Sequence, residues 1–464
     1  MPPRVFVGVG RQGYGSRRAM RIDPTIGAVE LTGPVAGVFD LAARKARMLD
    51  GSWDRSRGAP VFTVEGKYTT RGWTEWTQGF AYGLPILAFD ATGETDLLEM
   101  GRRNTLKYMA QHVSHVGVHD HGFNNLSTYG NLRRLMREGR MAHDPWEMAF
   151  YEMAIKASAA VQAARWTRIA GGGGYIYSFN GPHSLFVDTM RTLRILGLAH
   201  QLGHVLMGEN DARISLFDRL IEHALATARF VVFYGESSHH YDVRGRTAHE
   251  AIFNVNDGSF RCRSTQQGYS PFSTWTRGLA WAVLGFAEEL EFLRQIGESR
   301  GVAEIEKAAR ATAGHYIDDC SALDGVPYWD DGAPGLAAMP GWKTRLANPF
   351  NDHEPVDSSA AAIAAQGLLR LGRYLGQAGD RYGRAGLTIA RTLFAEPYLA
   401  TDEDHEGLLL HSIYHRPNGW DHVPKDRKIP CGESSMWGDY HAVELALLIH
   451  RLSGGARYYT FFDM

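Results

Sequence analysis

In 183-HSLFVDTMRTLRIL-196 a single carboxylate, Asp188, interrupts a run that otherwise reads as the apolar face of a helix. An unpaired ionised carboxylate in an apolar interior is costly, so the position calls for a partner or a chemical purpose. A second acid in the same kind of setting, Asp120, stands in 119-HDHGFNNLSTYGNL-132. Taken singly, each reads as a helix-capping aspartate held by first-turn N–H groups and the helix dipole. Taken together in one cavity, the two would push one pKa of the pair upward, leaving one acid protonated and one ionised. That is the division of labour of general acid/base work, and it suits glycoside cleavage.

Flat and cationic residues stand at comparable places. Arg277 and Trp281, four apart in 273-STWTRGLAWAVLGF-286, share a helix face, and Trp73 and Trp76 are three apart in 72-GWTEWTQGFAYG-83. Indoles stack on sugar rings, although core packing accounts equally well for Trp76 and Trp281. Of the twenty histidines, His119, His121, His239, His240 and His249 fall in or beside the expected cavity. The motifs HDH and HHYD do not by themselves supply the three or four converging ligands of a metal centre, so no metal and no cofactor are expected. There is no G-x-S-x-G elbow, and the run 171-GGGGYIYSFNGPH-183 lacks the Lys and Ser/Thr of a phosphate loop, which leaves a flexible rim loop.

The elements that must position these residues are helical. Apolar periodicity is that of helices almost everywhere after residue 36. Segments near 36–50, 94–115, 145–168, 211–231, 301–319 and 381–396 carry a charged face; those near 75–92, 122–136, 184–203, 272–294, 357–376 and 436–452 are poorer in charge and rich in small or aromatic residues. Six exposed helices alternating with six buried ones predict an all-α fold, an (α/α)6 barrel of six hairpins, in which inner helices point their N-termini at one funnel. Ala, Ser and Gly on the inner helices let backbones approach closely around one axis. The expected organisation is an N-terminal extension, 1–35, and one barrel domain over 36–464, with long polar connections at 234–270 and 321–356.

Composition narrows the partners. At 464 residues, with 44% hydrophobic and 22% charged residues, the chain buries a large core and is not disordered. Lys plus Arg (49) nearly cancels Asp plus Glu (51), so no global field draws nucleic acid or an anionic membrane. The cysteines, Cys262, Cys320 and Cys431, are far apart and odd in number, which points to a reducing, cytoplasmic setting. No export signal and no apolar run long enough to span a bilayer is visible.

The segments WTQGFAYG (76–83), HDHGF (119–123), SLFVDTM (184–190), QQGYSPFSTWTRGLAWAVLGF (266–286), VDSSAAAIAAQGLL (356–369) and ESSMWGDYHAVELAL (433–447), in this order and spacing, resemble the unsaturated glucuronyl hydrolases of glycoside hydrolase family 88. The match covers most of the chain from about residue 40 onward. The resemblance implies an (α/α)6 barrel acting on oligosaccharides left by polysaccharide lyases, whose terminal uronic acid carries a C4=C5 double bond. It implies protonated Asp188 as general acid/base, ionised Asp120 as its essential neighbour, Trp76 and Trp281 lining the sugar site, and Arg277 and His249 contacting substrate. Gln266 stands at a substrate-binding position where the family typically has histidine, and an amide cannot titrate as imidazole does. The alternatives are an unsaturated rhamnogalacturonyl hydrolase, a glycosidase of saturated uronides, a sugar epimerase and a noncatalytic carbohydrate-binding barrel.

Overall fold

The structure, a computed structural model, describes residues 20–72 and 76–463. Trp73 and the first nineteen residues of the N-terminal extension lie outside the described residues. Twelve principal helices alternate between two rings. The outer ring holds α1 (Thr32–Ser52), α3 (Thr95–Tyr108), α5 (Pro145–Ala164), α7 (Leu216–Phe230), α9 (Val302–His315) and α11 (Asp380–Leu393). The inner ring holds α2 (Gln78–Thr92), α4 (residues 121–137), α6 (residues 189–201), α8 (Thr276–Ile296), α10 (Ser358–Leu375) and α12 (Met436–Ser453). Each inner helix meets the next, and α12 returns to α2, so the ring closes. This is an (α/α)6 barrel. The outer helices present one apolar stripe inward and charge outward, whereas α8 and α10 are buried nearly all round.

Closure depends on small residues where backbones meet. A Cβ on Gly79 of α2 would lie 2.3 Å from the Asn124 carbonyl oxygen of α4. One on Gly122 of α4 would lie 2.2 Å from the Thr192 carbonyl oxygen of α6, and one on Gly367 of α10 would lie 2.6 Å from the Leu284 nitrogen of α8. Such contacts around the axis are the reason for the inner helices' composition.

Three expectations need correction. Residues 184–186, read as the start of an inner helix, form a strand instead. Ser184–Phe186 pairs antiparallel with Glu250–Phe253, which pairs in turn with Phe260–Ser264, in the register Ser184↔Ile252 and Phe186↔Glu250. The glycine run is the turn of a tight hairpin between Trp166–Arg168 and Gly174–Ile176, with Gly171, Gly172 and Gly173 all at positive φ, where glycine is favoured. Helical structure also begins before residue 36, in a 3-10 turn at Ala28–Leu31 that runs into α1.

Candidate active site

All six inner helices start at the same end of the barrel. Asp357 caps α10 by accepting from Ser359 N at 3.1 Å, and Ser435 Oγ caps α12 through Gly438 N at 3.1 Å. Asp120 and Asp188 occupy the equivalent positions of α4 and α6, yet neither side chain makes a capping hydrogen bond. The capping reading therefore fails for both. Their carboxylates turn instead into a cavity of about 970 Å³, its open mouth included.

His119 joins the two acids. Its Nε2 lies 3.3 Å from Asp188 Oδ1 and 3.8 Å from Asp120 Oδ1. The ring is fixed by Phe179, stacked at 6.1 Å, and Phe186, edge-on at 5.7 Å. All three polar residues are buried, Asp120 at 6% and Asp188 at 9% exposure. Burial lifts Asp120 above the ordinary carboxylate value, and the Asp188 charge adds to this against the pull of His119. Burial acts on Asp188 in the same sense, but the His119 hydrogen bond and the nearby His119 and His249 rings outweigh it and hold Asp188 below the ordinary value. Burial pulls His119 down, and the two carboxylates more than reverse this. The pair's more readily held proton thus belongs to Asp120, the reverse of the order that the resemblance implies.

The remaining walls are aromatic. Trp281 and Phe123 form part of the floor with ring centroids 4.9 Å apart, and half-buried Trp76 stacks on Trp437 at 4.9 Å. Arg277 lines the wall, but its guanidinium fork is turned to the protein. Nη1 donates to Asp357 Oδ2 at 2.9 Å and to the Ile413 carbonyl; Nη2 donates to Gln267 Oε1 at 3.1 Å and to the Tyr414 carbonyl at 2.7 Å. It also lies over the Trp275 ring at 4.6 Å. Gln266 lines the cavity, with its side-chain amide 3.5 Å from Glu250 Oε1.

His249 is placed differently. It is 2% exposed, is not part of the cavity lining, and packs behind the wall with its ring 4.3 Å from Phe186 and 4.9 Å from Trp275. Burial pulls its pKa down to about 4, so the ring is neutral. Its Nδ1 accepts from the Gln266 backbone N–H at 3.0 Å, and its carbonyl accepts from Val187 N at 3.0 Å. It holds the Gln266 turn to the strand that leads into Asp188. His239 and His240 are exposed beside Tyr241, and His121 is buried with Nδ1 2.7 Å from Ser158 Oγ; none of these lines the cavity.

Several lining residues escaped sequence reasoning. Gln267 and Trp275 were inside quoted motifs but had no spacing signal of their own. Tyr414, His415, Asn418 and Trp420 come from the 397–435 connection, which has no periodicity to read.

No family model matches the chain. Among curated proteins it is 27% identical over 402 residues to the unsaturated glucuronyl hydrolase of Bacillus sp. (strain GL1), covering 83% of this chain and 89% of that one. The crystal structure of the unsaturated glucuronyl hydrolase from Bacillus sp. GL1 superposes with a TM-score of 0.69 at 25% identity, over 91% of this chain and 97% of that one. The chain is thus similar to unsaturated glucuronyl hydrolases in both sequence and fold. A further relative, the unsaturated chondroitin disaccharide hydrolase of Streptococcus pyogenes serotype M1, is 24% identical over 427 residues, covering 90% of this chain and 91% of that one.

Proposed function

We propose that this chain is a glycoside hydrolase that releases the terminal 4,5-unsaturated uronic acid from lyase-generated oligosaccharides by hydrating the C4=C5 double bond. The observation that carries this reading is the buried Asp120/Asp188 pair joined by His119 in a cavity walled by tryptophans. Tryptophan faces suit the apolar faces of sugar rings. Six inner-helix N-termini direct partial positive charge toward the cavity, which favours a uronate carboxylate. The names of the Bacillus and Streptococcus relatives, glucuronyl and chondroitin disaccharide hydrolases of unsaturated substrates, support the same class.

The unsaturated end is an enol ether. Protonated Asp188 gives its proton to C4, and positive charge develops at C5 and the ring oxygen. Water adds at C5 and returns a proton to Asp188, and the hemiketal so formed opens with loss of the glycosidic link. The substrate itself reconciles this proton order with the chemistry. An anionic uronate entering beside Asp188 raises that residue's pKa, and His119 Nε2, within 3.8 Å of both acids, is placed to pass the proton from Asp120. Asp120 then carries the negative charge that stabilises the cationic transition state. Trp76, Trp281 and Gln266 border the sugar, Arg277 fixes Gln267 and the 413–415 turn, and His249 braces Gln266. The three free cysteines support a reducing, cytoplasmic residence.

The test is loss of the near-ultraviolet absorbance of the conjugated uronate in lyase digests of hyaluronan, chondroitin, heparin or gellan. Asp188→Asn is expected to keep its circular dichroism spectrum and melting behaviour while turnover falls by roughly 10²–10⁴-fold. Near-native turnover in that variant would remove Asp188 from the chemistry.

A further inference from the structure

Outside the cavity, the end of α9 brings together three side chains of different ligand character: His315, Cys320 and Asp331. Among the described residues this is the one His/Cys/Asp/Glu group whose ligand atoms all lie within 4.8 Å of one another. His315 and Cys320 are 2% and 0% exposed, and the Asp331 side chain is 5% exposed. None of the three lines the active-site cavity.

The spacing is informative. Asp331 Oδ1 is engaged by Thr274 N at 2.6 Å, while Oδ2 has no neighbour at the distance of a charge-assisted hydrogen bond. Oδ2 lies 3.5 Å from His315 Nε2, 3.7 Å from Cys320 Sγ and 3.5 Å from Arg246 Nη2. A contracted ion pair would sit near ~2.8 Å. The edges of a tetrahedron around zinc, from its usual bond lengths to N, O and S, are about 3.4 Å for nitrogen to oxygen and about 3.6 Å for sulfur to oxygen. The two separations to Asp331 Oδ2 match those edges, and His315 and Cys320 bring their ligand atoms within 4.8 Å of each other. The far nitrogen, His315 Nδ1, faces Asp319 Oδ2 at 3.5 Å, the carboxylate-behind-histidine arrangement that orients metal-binding imidazoles. Thr274 Oγ1 lies 3.1 Å from His315 Nε2, beside the three ligand atoms. A thiolate and a carboxylate balance a divalent charge, and Asp319 and Arg246 offset one another outside the ligand set.

We propose that His315, Cys320 and Asp331 form a structural binding site for a divalent cation of the zinc class. The site joins the end of α9 and the 316–320 turn to Asp331 in the connection toward α10, and Asp331 in turn accepts from Thr274 N in the segment that leads into α8. The preceding residue, Asp330, accepts from Tyr269 N at 2.8 Å, so the same clamp steadies the 266–275 segment that carries Gln266, Gln267 and Trp275 to the cavity. The metal takes no part in the hydration chemistry.

The full-length protein, grown with added zinc and desalted, is expected to retain one zinc per chain by mass spectrometry of its metals. Stripped with chelator and titrated with Co²⁺, it should show thiolate charge-transfer and tetrahedral d–d absorption saturating at one equivalent, and its melting temperature should rise by several degrees with either ion. Cys320→Ser and Asp331→Asn should lose the cobalt bands, whereas the Cys262→Ser/Cys431→Ser double variant should keep them. Should Cys320→Ser fail to fold, Asp331→Asn and the double variant decide the matter. A folded wild-type protein with no retained zinc, no cobalt bands and an unchanged melting temperature would establish a metal-free hydrogen-bonded network and overturn the proposal.

Discussion

Asp120 and Asp188 face one histidine yet differ in proton affinity, because Asp188 takes the shorter contact at 3.3 Å and also feels His249. The difference makes the pH profile diagnostic. In the free enzyme Asp188 sits below the ordinary carboxylate value and Asp120 above it. In the complex, the uronate charge raises Asp188, and catalysis requires its acid form. The alkaline limb of kcat should therefore lie at higher pH than that of kcat/KM, since the first reports the complex and the second the free enzyme. Coincident limbs would show that the substrate does not tune the acid. Asp188 was legible in sequence because a charge in an apolar run has few explanations, and Asp120 because it stands at the equivalent start of another inner helix. The role of His249 was not, because a strand pairing with a distant segment turns it behind Phe186. Nor was the order of pKa values, which depends on a third group lying off-centre between the two acids.

At the level of helices, the distance between Asp120 and Asp188 is set by how closely α4 approaches α6, and Gly122 sets that approach. Gly122→Ala should destabilise the fold by about 1–3 kcal/mol or more, because its Cβ meets backbone instead of a yielding side chain. Turnover should fall as well, since the helix carrying Asp120 must move. Gly33→Ala in α1, where nothing lies within 4 Å of the added atom, is the matched control and should be neutral or mildly stabilising. Urea titration of both variants with the absorbance assay separates the outcomes; equal stability would mean the α4–α6 contact yields freely. The alternation of charged and small-residue helices was readable because helical periodicity repeats over many residues. The strand Ser184–Phe186 was not, since three residues carry no period and its partner is remote in sequence.

Across the whole molecule, the funnel opens at one end because the other is closed. The C-terminal tail folds under the ring: Tyr459 OH donates to Glu444 Oε1 at 2.9 Å, and Phe462 packs on Phe292 at 4.7 Å. Above it lies a buried ion cluster in which Arg191 pairs with Glu288 and Glu444, and Arg370 Nη1 donates to Glu291 Oε2 at 2.8 Å and Nη2 to the Tyr459 carbonyl at 3.2 Å. Each pair joins two different inner helices or a helix and the tail, so helices that read as poor in charge hide pairs no single segment reveals. Burial acts to raise Glu444, but Arg191 and Arg194 outweigh it and hold the carboxylate far below its ordinary value. Stability from this group is full above the ordinary carboxylate pKa and is lost as pH falls below it. Arg370→Met strands buried carboxylates and unpins the tail, and is expected to cost about 3–5 kcal/mol in denaturant unfolding at neutral pH. Lowering the pH toward 4 protonates the stranded acids, so the gap to wild type should narrow there. Because Arg370 lies at the closed end, turnover of the folded variant should stay near wild type. A loss of turnover without a loss of stability would contradict this separation of the ring into a catalytic mouth and a structural base.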